Sequence, residues 1–170
     1  MGPGNVLGEA LVTHPRVRLV SFTGSTEAGG KVAVAAAGLH KKVSLEMEGK
    51  NAVIVMPDAD LDLALQGILW SAFGTAGQRC TAASRVIAHR DVAGELAERL
   101  AEKAAGLKIG PGLDPDTDVG PLVNARALDK VDGYVAVGKE EGARLLTGGE
   151  RFTGDGCARG FFYRPTVFDQ

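Results

Sequence analysis

The sequence predicts an α/β fold with mostly parallel strands, and three observations carry that prediction. Apolar runs of strand length alternate with longer stretches of helical period, in the order strand-helix-strand-strand-helix-strand-helix-helix-strand. The 170 residues hold 24 glycines and 7 prolines. Glycine at roughly twice its average usage, with no repeat and no serine-rich run, indicates many tight turns rather than disorder. Apolar residues at 45% and charged residues at 24% suit a soluble globular chain, long enough for one full core or two lobes.

Residues 17–22 alternate imperfectly as a buried strand ending at Thr23-Gly24-Ser25-Thr26. Ser25 suits the N-cap of a following helix, and Glu27 suits its first turn, where the helix dipole favours negative charge. That helix, over 26–39, is apolar nearly all round, so burial on more than one side is expected, by its own domain or by a partner. Residues 42–47 and 52–56 are short strands. Pro57-Asp58-Ala59-Asp60 stops the second and caps a helix over 61–73. There Leu61, Leu65, Ile68 and Ala72 form one stripe, while Leu63, Leu69, Trp70 and Phe73 fill much of the remainder, so this helix too reads as largely buried.

Residues 74–83 are small and surround Cys80; 85–89 is a strand. The helix over 92–105 sets Leu96, Leu100 and Ala104 opposite Glu95, Glu98, Arg99, Glu102 and Lys103. A loop of Pro, Gly and Asp over 110–119 precedes a helix over 124–142 and a strand over 144–146. Turns at 148–149 and 154–160 lead to a closing strand over 161–168. The weakest join is Glu48-Gly49-Lys50, between a small N-terminal lobe and a larger C-terminal one.

Composition excludes several classes of function. The net charge is −2 and no basic face stands out, so no nucleic-acid partner is expected. The longest purely apolar run, 32–37, is far too short to cross a bilayer, and residues 1–4 carry no export signal. Cys80 and Cys157 make neither a disulfide framework nor a zinc spacing, and His14, His40 and His89 are scattered as surface or turn residues. No metal site and a cytoplasmic location are therefore expected.

Three places carry chemistry. The turn Gly24-Ser25-Thr26, between strand and helix, aims backbone N–H groups and a hydroxyl at an anion, although on these residues alone a plain capped helix is the better reading. Gly2-Pro3-Gly4 with Gly8 has the wrong spacing for a dinucleotide fingerprint and follows no strand. Cys80 lies in a small-residue turn with room for a substrate, and the adjacent Arg79 is expected to favour the thiolate. Cys157, in a glycine loop, is the poorer nucleophile. Glu46 sits in an otherwise apolar strand pattern; it is either a functional carboxylate or a strand-end glutamate facing solvent or pairing with Lys50.

In order along the chain stand Phe22-Thr23-Gly24-Ser25-Thr26-Glu27, Leu45-Glu46-Met47-Glu48-Gly49-Lys50-Asn51, Asp58-Ala59-Asp60-Leu61, Gly77-Gln78-Arg79-Cys80, Asp118-Val119-Gly120-Pro121-Leu122 and Phe162-Tyr163-Arg164-Pro165-Thr166-Val167. This set, covering nearly the whole chain, resembles the NAD(P)-dependent aldehyde dehydrogenase superfamily. The resemblance implies part of a Rossmann-type cofactor lobe over 1–47 and part of an α/β catalytic lobe over 48–170. It implies that Cys80 attacks an aldehyde substrate and that a thioester follows, with NAD or NADP as cofactor. It implies Glu46 as the general base for hydrolysis, the Cys80 backbone N–H as part of the oxyanion hole, and Gly24 and Ser25 as contacts to the cofactor pyrophosphate.

The resemblance is to the central part of a family member. The upstream oxyanion-hole asparagine, the adenine-binding strands and the downstream ribose-binding glutamate motif have no match here, so little or no turnover is expected of the chain by itself. The alternative is a non-catalytic assembly module that pairs through helix 26–39 with itself or with a longer homologue. Glu48 stands where the family has a glycine; the expectation is either backbone strain, if φ is positive, or a second carboxylate beside Glu46 that lowers activity.

Overall fold

The computed structural model describes residues 2, 4–154 and 156–169. The chain divides into two compact units, Met1–Gly49 and Lys50–Gln170.

In the first unit, β1 (Leu19–Gly24) and β2 (Lys42–Met47) pair in parallel, with Phe22 opposite Leu45 and Thr23 opposite Glu46. The crossover is helix α2 (Thr26–Ala37), which packs on both strands. Its approach depends on Gly29, where a Cβ would come within 2.5 Å of the Met47 sulfur. Helix α1 (Gly4–Thr13) was not expected, because Gly4 and Gly8 weaken its local preference. Packing against α2 and burial of Val12 supply what propensity lacks. Lys41 donates to the carbonyls of Val12 and His14 at 2.5 and 2.7 Å, placing a cation at the α1 C-terminus where the dipole favours it. Pro3, in the glycine-proline stretch at the start, lies outside the described residues.

The second unit opens with β3 (Asn51–Val55), crosses through α3 (Leu61–Phe73), and returns to β4 (Ala83–Ala88), parallel to β3. Asp60 caps α3 by accepting from the backbone N–H groups of Asp62 and Leu63 at 2.9 and 3.1 Å. Helix α4 (Arg90–Ala105) follows at once, capped by His89, whose Nδ1 accepts from Asp91 N–H. Val55, Leu65, Ile68, Leu96 and Leu100 close into one buried cluster between the strands and these helices. Helix α5 (Ala125–Glu140) contributes Leu128 and Val135 to another, with Leu122 and Tyr163. The last pair, β5 (Arg144–Thr147) and β6 (Val167–Asp169), is antiparallel.

The structure corrects two expectations. Residues 161–168 do not form one strand: only Val167–Asp169 pairs with β5, and Tyr163 makes an isolated bridge with Arg151. Pro165, which has no N–H, interrupts the ladder between them. Asp155, in the expected 154–160 turn, lies outside the described residues. Helix α3, expected to be largely buried, is only partly so, and α2, expected to be buried by its own domain or by a partner, is covered by its own unit over part of its surface. In α2 only Gly29 and Ala36 are buried and Val34 is 77% exposed; in α3 Leu63 and Trp70 are each 68% exposed. Each helix packs on its strand pair and on one further helix, α1 for α2 and α4 for α3, and these contacts leave Val34, Leu63 and Trp70 exposed.

Tyr163 anchors its segment to α5. Its hydroxyl donates to Asp132 Oδ1 at 2.8 Å, and Arg151 joins Asp129 and Asp132 at 2.9 and 3.3 Å. Burial, then the Asp132 hydrogen bond and charge, hold the phenol well above its ordinary 10.0.

Two measurements test this packing. Leu65→Ala, at a fully buried position, is expected to lower unfolding free energy by about 2–5 kcal/mol in urea titration, whereas the exposed Leu63→Ala changes it by about 0.5 kcal/mol or less. The raised Tyr163 pKa predicts an alkaline loss of stability. Above about pH 10 the unfolded state releases the phenolic proton while the folded state keeps it, so its contribution is complete below that pH and is lost as pH rises. Tyr163→Phe should therefore flatten the fall in urea midpoint between about pH 9 and about pH 11; an unchanged slope refutes the assignment.

Candidate active site

The candidate residues fall in both units. Gly24, Ser25 and Glu46 belong to the first and Cys80 to the second.

Parallel pairing puts Gly24, Ser25 and Glu46 together at the carboxyl ends of β1 and β2. That end of a parallel sheet, where a helix N-terminus also begins, is where α/β folds take ligands. Ser25 is the N-cap of α2, with extended backbone at φ −69° and ψ 151°. Its Oγ accepts from Ala28 N–H at 3.2 Å, which leaves its own hydrogen to donate outward. The Thr26 N–H, at the first helical position, has no intrahelical acceptor. Glu27 follows in the first turn, paired with Lys31 at 2.6 Å. A hydroxyl and a helix N-terminus form a donor set that fits a phosphate oxygen.

Glu46 is exposed on β2, beside Thr23, and among the described residues of its unit it makes no ion pair. Lys42, Ser44 and Glu46 alternate with Val43, Leu45 and Met47, so the glutamate lies on the polar side of the strand and carries no burial cost. Of the two alternatives at Glu48, backbone strain does not apply, because its φ is not positive. Among the described residues other than glycine, only His40, Thr75 and Ala76 have positive φ.

Cys80 is exposed, in a turn closed by Ala82 N–H donating to Arg79 O at 3.0 Å. A 3₁₀ turn, Gly74–Gly77, leads from α3 into it. Its backbone is left-handed at Thr75 (φ 55°), Ala76 (φ 53°) and Gly77 (φ 69°). At Gly77 a Cβ would also meet the Ala72 carbonyl at 2.9 Å, so only glycine suits the position.

Three side chains hold this turn. Asn51 Nδ2 donates to Cys80 O at 2.6 Å and to Ala82 O at 3.1 Å. Gln78 Oε1 accepts from Val123 N–H at 2.9 Å, while its Nε2 donates to Pro121 O at 3.3 Å. The Arg79 guanidinium donates to Trp70 O at 2.9 Å and lies 4.0 Å from the Trp70 ring centroid. The backbone N–H of Cys80 has no acceptor among the described residues of its unit.

Arg79 also supports the scaffold: its guanidinium donates to carbonyls at the C-terminus of α3, where a helix favours a cation. The sequence reading did not assign a role to Asn51 or to the Gln78 side chain. Their nearness in sequence to Glu46 and Cys80 was the available signal, but the hydrogen-bond partners that define their roles are contributed by distant segments. Cys157, the poorer nucleophile candidate, is buried. Among the described residues, no group of three or more His, Cys, Asp or Glu side chains could hold a metal ion, and no helix is long and apolar enough to cross a membrane.

Comparison with known proteins agrees with these motifs. The sequence model of the aldehyde dehydrogenase family matches residues 1–170. Betaine aldehyde dehydrogenase of Bacillus subtilis (strain 168) is 42% identical over 168 residues, which span 99% of this chain and 34% of that protein. The crystal structure of HpcC from Thermus thermophilus superposes with a TM-score of 0.94 at 43% identity, over 98% of this chain and 33% of that one. Betaine aldehyde dehydrogenase from Staphylococcus aureus, solved in complex with NAD+, superposes with a TM-score of 0.96 at 35% identity, over 99% and 33%. The chain spans about a third of the length of the curated relatives it matches. With matching elements along its whole length and the motifs in the same order, this chain belongs to the aldehyde dehydrogenase family.

Proposed function

We propose that this chain carries the nucleophile and general base of an NAD(P)+-dependent oxidation of an aldehyde to a carboxylic acid. The observation that carries the reading is Cys80, an exposed thiol on a clamped turn whose own N–H is unengaged among the described residues of its unit. The Cys80 thiolate adds to the aldehyde carbonyl, and the developing oxyanion is met by that N–H. When bound, the nicotinamide supplies the hydride acceptor for the oxidation that leaves an acyl group on the Cys80 sulfur. Glu46 then takes a proton from water, the resulting hydroxide attacks the acyl carbon, and the C–S bond breaks to release acid and thiolate. Gly24 and Ser25 hold the cofactor pyrophosphate through backbone and hydroxyl donors.

The two units are then parts of two lobes, with Glu46 near the end of one and Cys80 in the other. Solved relatives bind NAD+, which supports a nicotinamide dinucleotide, NAD or NADP, as the cofactor. The curated relatives act on small aldehydes of several kinds by name, betaine aldehyde and α-ketoglutaric semialdehyde among them.

Reduced nicotinamide formed from a simple aldehyde tests the reading on the purified chain. A slow signal is expected, lost in Cys80→Ala and about 10²-fold lower in Glu46→Gln. A rate that survives Cys80→Ala sinks the reading.

A second reading, as an assembly module, is favoured by the open face of α2, where Val34 is 77% exposed and Leu39, just beyond the helix, is 48% exposed. Sedimentation velocity is expected to find dimers of the chain, converted to monomers by Val34→Lys. Monomers throughout argue against it.

A further inference from the structure

We propose that Asn51 and Gln78 are positioning residues for Cys80: their two carboxamides fix the turn so that the Cys80 N–H points at the oxyanion. The proposal rests on the reading of Cys80 as the acyl-accepting nucleophile. Asn51 grips the turn from the start of β3, through Cys80 O at 2.6 Å and Ala82 O at 3.1 Å. Gln78 grips it from the other side, through Val123 N–H at 2.9 Å and Pro121 O at 3.3 Å, with Thr75 O at 3.4 Å.

Every group is matched in polarity. Both acceptors of Asn51 are carbonyls, so its nitrogen must face them; Gln78 faces one N–H donor with its oxygen and carbonyls with its nitrogen. Neither side chain fills a core, since neither residue is buried. What they restrain is a peptide run that follows two non-glycine residues in the left-handed region, Thr75 and Ala76. Such backbone persists where the surroundings over-determine it, and it gathers at sites whose geometry matters.

Two reagents separate positioning from mere exposure of the thiol. With p-nitrophenyl acetate the thiolate attacks the ester carbonyl. A C–S bond forms, the C–O bond breaks and nitrophenolate leaves, by way of an oxyanion that needs the N–H. With iodoacetamide the thiolate displaces iodide at a saturated carbon, and no oxyanion forms. Asn51→Ala and Gln78→Ala are each expected to slow acylation about tenfold or more while alkylation of Cys80 stays within about twofold. Gln78→Glu keeps the acceptor for Val123 N–H and is expected to recover part of the rate. Asn51→Asp sets a carboxylate against two carbonyls and is expected to be slower than Asn51→Ala.

Unchanged acylation overturns the proposal, as does an equal fall in both reactions. The buried Cys157 reports folding, because its alkylation rises only when the unit opens. If the alanine variants open, Gln78→Glu decides: slower acylation with Cys157 protected supports the proposal, and an unchanged rate overturns it. Acylation of the wild-type chain that persists in Cys80→Ala would overturn the nucleophile assignment and the positioning with it. Acylation that needs Cys80 but ignores Asn51 and Gln78 overturns the positioning alone.

Discussion

Parallel pairing of β3 with β4 is the constraint on which the cysteine turn depends. In a parallel pair joined by a helix, the second strand begins beside the beginning of the first, so whatever precedes β4 must lie next to the start of β3. Asn51 pairs with Ala83, and Cys80 stands three residues before Ala83. The Asn51 carboxamide therefore meets the carbonyls of Cys80 and Ala82, and Ser84 Oγ returns a hydrogen bond to Asn51 O at 3.2 Å. The register slips by one residue between Asn51 and Ala52, and this irregularity places Ser84 there. The 3₁₀ turn with its left-handed residues is the path by which the chain leaves α3 in time to meet that start.

The first unit uses the same connection for a different end of its sheet. Here α2 crosses from β1 to β2, and the useful groups lie where both strands finish. Gly24 and Ser25 end β1 and open α2, while Glu46 is near the end of β2. The Gly24-Ser25 turn and the carboxylate are neighbours because parallel strands end together, although 20 residues of helix, turn and strand separate Ser25 from Glu46. Gly29 sets the closeness of that packing through its contact with Met47.

Helix C-termini recur as anchoring points. Lys41 reaches the last carbonyls of α1, and Arg79 reaches those of α3. Both cations act by the same physics: the carbonyl end of a helix dipole attracts positive charge. In one case this ties a loop to a helix. In the other it ties Arg79, the residue next to Cys80, to the end of α3, with the Trp70 ring beneath it.

Much of this was legible in the residues. The bounds of β2 and α3 follow from their patterns at 42–47 and 61–73, and Ser25 and Asp60 cap the helices their types suggest. The order of motifs from Phe22 to Val167 carried the family, since local chemistry and turn glycines are written directly into sequence. What tertiary structure alone decided is where long-range partners fall. Helix α1 exists because Val12 packs, in spite of two glycines; 161–168 fails as one strand because Pro165 cannot join a ladder; and Glu48 escapes strain because its φ is not positive. The partners of Asn51 and Arg79, and those of Gln78 at Pro121 and Val123, lie 8 to 45 residues away, and pairing at that range depends on how the chain crosses and returns, which no local pattern records.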